Sequence, residues 1–241
     1  MPKISVLGAI NWDINLFVKR FPKIGEEVPV ERIMRVPGGK GANVAVAAAR
    51  LLGRGQVALI GCLGRDAIAE RQIKILKDEG VDVSGIKFTG DAESGQAYIL
   101  IDDEGRNLIN TLFGANLELK PEDLRCEKIL SLLRDSSIIV LIDPILETLM
   151  AATSIAKEYG KIVMWDAGVR STLGAERLKE MLRNVDYLVI NEVEVKNLTG
   201  ETNPLEAWRI LSEINHQITL ILKLGGRGCS MINRRIMASV P

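Results

Sequence analysis

The sequence predicts an α/β fold with a doubly wound, mostly parallel sheet and a small β-sheet lid, and three observations carry that reading. Short apolar runs recur along the chain. Amphipathic stretches of helical period lie between them, and two segments without helical period break the alternation. The runs Ile4–Ile10, Val57–Cys62, Ile138–Ile142, Lys161–Trp165, Tyr187–Ile190 and Thr219–Leu224 read as strands buried on both faces, as parallel strands are. The stretches Ala42–Leu52, Ala67–Asp78, Leu146–Tyr159, Arg177–Arg183, Val193–Thr199 and Pro204–Ile214 read as the crossover helices. The interruptions fall at about 14–37 and 94–113, with hairpin material in Leu16–Val36 and Ser94–Phe113. In the second, Asp102-Asp103-Glu104-Gly105 forms a turn between Gln96–Ile101 and Arg106–Leu112. An antiparallel sheet of this kind is expected to stand out from the main sheet as a lid over the carboxyl ends of its strands.

The 241 residues, 47% hydrophobic and 26% charged, are enough to bury a core without a disulfide scaffold, and read as one α/β domain over 1–241. With 31 basic and 31 acidic residues the net charge is zero, so neither nucleic acid nor a membrane surface is expected as a partner. No acidic residue follows Glu213, whereas Lys223, Arg227, Arg234 and Arg235 do. One histidine, His216, and the scattered Cys62, Cys126 and Cys229 make no familiar zinc site. Unpaired thiols without a C-x-x-C spacing suit a cytoplasmic protein. No apolar run approaches the roughly 20 residues of a membrane-spanning helix. The opening residues read as a first core strand rather than a leader. A Ser-His-Asp hydrolase would need His216 as its base, and no G-x-S-x-G is present.

The most informative stretch is Pro37-Gly38-Gly39-Lys40-Gly41-Ala42-Asn43-Val44, which runs on into small residues to Leu51. Glycines let backbone N–H groups approach a ligand closely, and the helix N-terminus that follows favours oxygen-rich or anionic groups. It is neither a Walker A loop, since no Ser or Thr follows the lysine, nor G-x-G-x-x-G. The competing reading is a glycine turn ahead of a close-packed helix.

Pro37–Leu51 resembles the first signature of the ribokinase-like (PfkB) family of sugar and nucleoside kinases, in its ribokinase form. Further matches run from residue 4 to about 230: Gly8-Ala9-Ile10-Asn11-Trp12-Asp13, Gly61-Cys62-Leu63-Gly64-Arg65-Asp66, Gly114-Ala115-Asn116, Ile142-Asp143-Pro144, Asp166 to Arg170 (with Ala167 where the family has Pro), Asn191-Glu192-Val193-Glu194, and Lys223-Leu224-Gly225-Gly226-Arg227-Gly228. The resemblance implies ATP-dependent phosphorylation of a primary hydroxyl of a small sugar, ribose first, with ATP, Mg²⁺ and sugar meeting beneath the lid. It implies a sugar pocket of Asn11, Asp13, Gly38, Gly39, Lys40, Gly41, Asn43 and Asp143. Asn191, Lys223, Gly225, Arg227 and Gly228 would serve the nucleotide and its phosphates, and Asn191 and Glu194 a water-held Mg²⁺. A homodimer through the lid and a monovalent cation complete the expectation. Read without the family, Asn11 and Asp13 could be a plain turn, Asn191 and Glu194 a helix start, and Lys223 and Arg227 a solvated strand end.

The family's second signature, T-x-G-A-G-D, supplies the general base and the anion hole. No Gly-Ala-Gly-Asp occurs in this sequence, so no residue is assigned as the base. The expectation is of a chain that stops before that segment. Its alternatives are a non-catalytic sugar-binding paralogue, or a kinase of a nucleoside or a phosphosugar.

Overall fold

A computed structural model describes residues 2–142 and 145–241. They form two compact units, Gly8–Leu119 and the residues up to Leu7 together with Lys120–Pro241. The first strand, β1 (Ile4–Gly8), stops two residues before the end of its apolar run. The chain turns at Ala9 and Ile10 and starts a new strand at Asn11.

That strand, β2 (Asn11–Phe17), opens the Gly8–Leu119 unit. It is followed by β3 (Arg32–Gly38), α1 (Lys40–Leu52), β4 (Val57–Gly64), α2 (Ala67–Asp78), β5 (Asp82–Thr89), β6 (Gly95–Ile101) and β7 (Asn107–Leu112). Every residue of β4 is buried, and β5 pairs parallel to it. The smaller sheet has the order β3-β2-β6-β7. It is mixed rather than antiparallel throughout: β2 and β6 are parallel at its centre, and β3 and β7 are antiparallel at its edges. The chain between β2 and β6 contains β3, α1, β4, α2 and β5, a crossover long enough to re-enter the sheet in the same direction. The β6–β7 turn is the expected one. The buried Asp102 carboxylate accepts the N–H groups of Glu104 (3.1 Å) and Arg106 (3.0 Å) and the Arg106 Nε–H (2.7 Å), with Gly105 at φ +77°.

The second unit adds α3 (Glu127–Asp135), β8 (Ile138–Ile142), α4 (Leu146–Glu158), β9 (Ile162–Asp166), α5 (Gly174–Arg177), α6 (Lys179–Leu182), β10 (Tyr187–Asn191), α7 (Glu192–Thr199), α8 (Pro204–Ile214), β11 (Thr219–Lys223), β12 (Cys229–Ile232) and β13 (Met237–Val240). Its strands belong to a large, mostly parallel sheet in the order β13-β12-β11-β10-β9-β8-β1. β8 through β11 run parallel, and β12 and β13 are antiparallel additions. Ser5 Oγ on β1 bonds the Leu132 carbonyl (3.1 Å) and Ser136 Oγ (2.8 Å), fixing the end of α3 to the strand. The single helix expected over Arg177–Arg183 is two short ones. The buried Leu178 lies between them at φ −99°, ψ 9°, outside helical values.

Two glycines of similar φ separate conformational strain from lack of space. Gly39 has φ +89°, and a Cβ there would lie 2.5 Å from Asn11 N and 2.6 Å from Ala9 O; Gly53 has φ +98° and open space around it. Gly39→Ala is expected to cost about 2–4 kcal/mol and Gly53→Ala about 1–2 kcal/mol. Urea titrations of the two variants check this; equal costs would mean that backbone strain alone sets both.

Candidate functional site

The glycine cluster is packed against the turn between β1 and β2. A Cβ on Gly38 would fall 2.2–2.4 Å from the Asp13 carboxylate, one on Gly41 would fall 2.5 Å from the Gly8 carbonyl carbon, and Gly39 meets Asn11 and Ala9. The first turn of α1 is tied to the same segment, since Ala42 N–H donates to Ala9 O (3.2 Å). The glycines are thus accounted for by close packing of the protein's own chain, as the glycine-turn reading expects, and β2, which follows the turn, carries Asn11 and Asp13.

Asn11 and Asp13 lie on a strand, not in the plain turn that was the competing reading. Being two apart on β2, they share one face of it. Asn11 pairs in register with Gly38 on β3 and Gly95 on β6, so the site sits where the two neighbouring strands carry no side chain. Asn11 Oδ1 accepts from Asn116 Nδ2 at 2.8 Å, and the Asn11 carbonyl accepts from Gln72 Nε2. The half-buried Asp13 carboxylate makes no hydrogen bond or ion pair among the described residues, and burial pushes its pKa above the usual aspartate value. A carboxylate partly stripped of water and left without a donor suits a ligand that brings hydroxyl donors. Lys40 and Asn43 are exposed on the first turn of α1. Asn43 lines a cavity of about 250 Å³ together with Gly38, Arg50 and Gln72. Asp143 lies outside the described residues.

In the other unit, the carboxyl ends of three neighbouring strands bring Asp166, Asn191 and Lys223 together. Lys223 Nζ donates to Asp166 Oδ2 at 2.7 Å, and Asp166 Oδ1 is buried with no partner among the described residues. Asn191 and Glu194 form a capping box. Asn191 Oδ1 accepts the Glu194 N–H (2.9 Å), and Glu194 Oε2 accepts the Asn191 N–H (2.8 Å). With those atoms engaged, the pair fits a magnesium ion only through water and the remaining carboxylate oxygen of Glu194. No group of three or more His, Cys, Asp or Glu among the described residues is placed to hold a metal directly. Arg227 is paired with Glu192 (2.6 Å), within a turn flanked by Gly225 at φ +59° and Gly228 at φ +82°. A Cβ on Gly228 would strike the Val240 carbonyl, so that glycine is required by β13 in any case.

Residues 1–238 match the pfkB family carbohydrate kinases. The chain belongs to that family. It is 32% identical over 234 residues to a bifunctional ribokinase/ribose-5-phosphate isomerase A of Fructilactobacillus sanfranciscensis, an alignment that covers 95% of this chain and 42% of that protein. It is 33% identical over 245 residues to a ribokinase of Lactococcus lactis, covering all of this chain and 76% of that one. Its fold superposes on an Arabidopsis thaliana ribokinase solved with ribose and ATP, with a TM-score of 0.83, 27% identity, and coverage of 99% of this chain and 78% of that one.

Family membership leaves three local roles that the motifs alone did not reveal. Asn116 is buried against Ile10 and Asn11, Gln72 holds the Asn11 carbonyl, and Asp66 anchors the start of β6. Asp66 caps α2 by accepting the Ala69 N–H (2.9 Å), and it takes both the N–H (2.7 Å) and the hydroxyl (2.9 Å) of Ser94. Burial works to raise its pKa, but these hydrogen bonds outweigh it and hold the group below the usual value. In a one-dimensional pattern nothing distinguishes the three from ordinary polar residues, except that Asn116 and Asp66 end motifs matched to the family.

Asp13 gives a pH-dependent prediction. Its folded-state pKa is raised, so its ionisation costs stability as pH climbs above the unfolded value of about 4. Asp13→Asn is expected to raise the melting midpoint at pH 7 by a few degrees, with the gain absent below about pH 4. Thermal melts across pH 3–8 measure this; a midpoint lowered at pH 7 would contradict an unpaired carboxylate.

Proposed function

We propose that this chain serves the ATP-dependent phosphorylation of the primary hydroxyl of a ribose-like sugar and contributes the residues that recognise that sugar. The observation that carries the reading is the Asn11–Asp13 pair on one face of β2, with a half-buried carboxylate that has no donor among the described residues. The ribokinase relatives, one of them solved with ribose and ATP, support the choice of sugar and nucleotide.

In this reading Asp13 accepts hydrogen bonds from sugar hydroxyls, and its partial desolvation strengthens each of them. Asn11 supplies the complementary amide; Gly38 lies against the Asp13 side chain and Asn116 holds that of Asn11 before the sugar arrives, which reduces the ordering cost of binding. Lys40 and Asn43 extend the pocket from α1. ATP with Mg²⁺ would supply the phosphoryl group and neutralise its charge. On this chain Lys223 and the Gly225–Gly228 turn would face the phosphates, Arg227 exchanging Glu192 for them. Glu194 would hold the ion through water, and a monovalent cation is a further candidate. No residue of this chain is assigned as general base.

The small sheet is proposed as a lid and as the contact between two copies. Ile33, Met34, Leu108, Ile109 and Leu112 are exposed on it, an apolar surface of the kind that marks an interface. A cytoplasmic setting without nucleic-acid or membrane partners completes the reading. The balanced charge, 31 basic against 31 acidic residues, supports it.

Calorimetry with ribose, fructose 6-phosphate and a nucleoside tests the recognition step, and sugar-dependent ADP formation tests the transfer. Ribose is expected to bind, and Asp13→Ala to weaken it at least tenfold, about 1.4 kcal/mol or more. Binding of the nucleoside or phosphosugar in preference to ribose would overturn the choice of sugar.

A further inference from the structure

A buried hydrogen-bond cluster beside the sugar residues belongs to Asn116, which is 5% exposed. Its Oδ1 accepts the main-chain N–H of Ile10 at 2.8 Å, while the two hydrogens of its Nδ2 are shared among acceptors that include the carbonyls of Phe113 (2.9 Å) and Ile10 (3.2 Å). A main-chain N–H can only donate and a carbonyl can only accept, so these contacts dictate which end of the Asn116 amide is which. Nδ2 also reaches the side chain of Asn11 at 2.8 Å, so the Asn11 atom there has to be an acceptor, Oδ1. The other end of the Asn11 amide is then an N–H donor, and it has no partner among the described residues. Gly95 makes the contact possible, because a Cβ at that position would lie 2.1 Å from Asn116 Nδ2 and 2.5 Å from Asn11 Oδ1.

We infer that Asn116 is a positioning residue that sets the polarity of the sugar site, turning the Asn11 amide so that a donor stands beside the Asp13 acceptor on the same face of β2. The inference rests on the sugar-binding reading and sharpens its substrate class. The ligand must offer an acceptor oxygen to Asn11 and a donor hydroxyl to Asp13, which a polyhydroxylated sugar does. A deoxy sugar lacking the oxygen opposite Asn11 leaves that N–H without its acceptor and is discriminated against. Asn116 touches no substrate in this scheme. Its effect passes entirely through the orientation of Asn11.

Two measurements test it. In the sugar-free protein, hydrogen exchange of side-chain amides followed by nitrogen-15 NMR is expected to show slow exchange at Asn116 Nδ2 and fast exchange at Asn11 Nδ2, with the Asn11 pair slowing when ribose is added. Calorimetry on Asn11→Asp, which keeps the acceptor facing Asn116 and deletes the outward donor, is expected to show ribose affinity reduced at least tenfold. Slow exchange at Asn11 together with fast exchange at Asn116, or unchanged ribose affinity in Asn11→Asp, would overturn the inference. If the unmodified protein bound no ribose the sugar-binding reading would fall, whereas the exchange rates would still decide the amide polarity.

Discussion

The structure around the site depends on one steric constraint: the turn between β1 and β2 lies against the backbone of Gly39 and Gly41 with no room for a Cβ at either, and the Asp13 side chain of β2 lies against Gly38. That contact ends β1 at Gly8, starts β2 at Asn11, and anchors the first turn of α1 through the Ala42 to Ala9 hydrogen bond. It also sets Asn11 and Asp13 at the end of the smaller sheet, where the partner strands present Gly38 and Gly95. The glycines therefore act through the protein's own chain, by letting β2 place its two polar side chains.

Polarity at the site is inherited from the backbone in the same way. Ile10 and Phe113 present groups of fixed hydrogen-bonding character, Asn116 reads them, and Asn11 takes the orientation that remains. Asp13 is left half-buried with no donor among the described residues, a cost to stability that hydroxyl donors would offset. Recognition and stability are opposed at this residue, as is common where a site is held ready for a ligand.

Much of this architecture is legible in the sequence. Ile138–Ile142, Ala67–Asp78 and Pro204–Ile214 have the bounds their apolar patterns predict, because burial on a fixed period is a local signal. The hairpin turn at Asp102–Gly105 was equally readable from its residues. Less so were β5, whose run is interrupted by Asp82, Ser84 and Gly85, and the two edge strands β12 and β13, which are short and flanked by polar turns. The direction of β2 against β6 follows from the length of the crossover between them rather than from either strand's pattern. The motifs point to the residues proposed for the site but carry nothing of their orientation. Asn116 meets Ile10 across 106 positions and Gln72 meets Asn11 across 61, and no periodicity joins partners that far apart.

The central claim is that β2 presents a donor at Asn11 and an acceptor at Asp13 to a single sugar. A crystal structure of this chain soaked with ribose tests it most directly. The account predicts ribose with one hydroxyl oxygen within hydrogen-bond distance of Asn11 Nδ2, another hydroxyl on the Asp13 carboxylate, and Asn11 Oδ1 still on Asn116. Ribose bound away from β2, or bound with Asn11 Oδ1 turned toward it, would contradict the account.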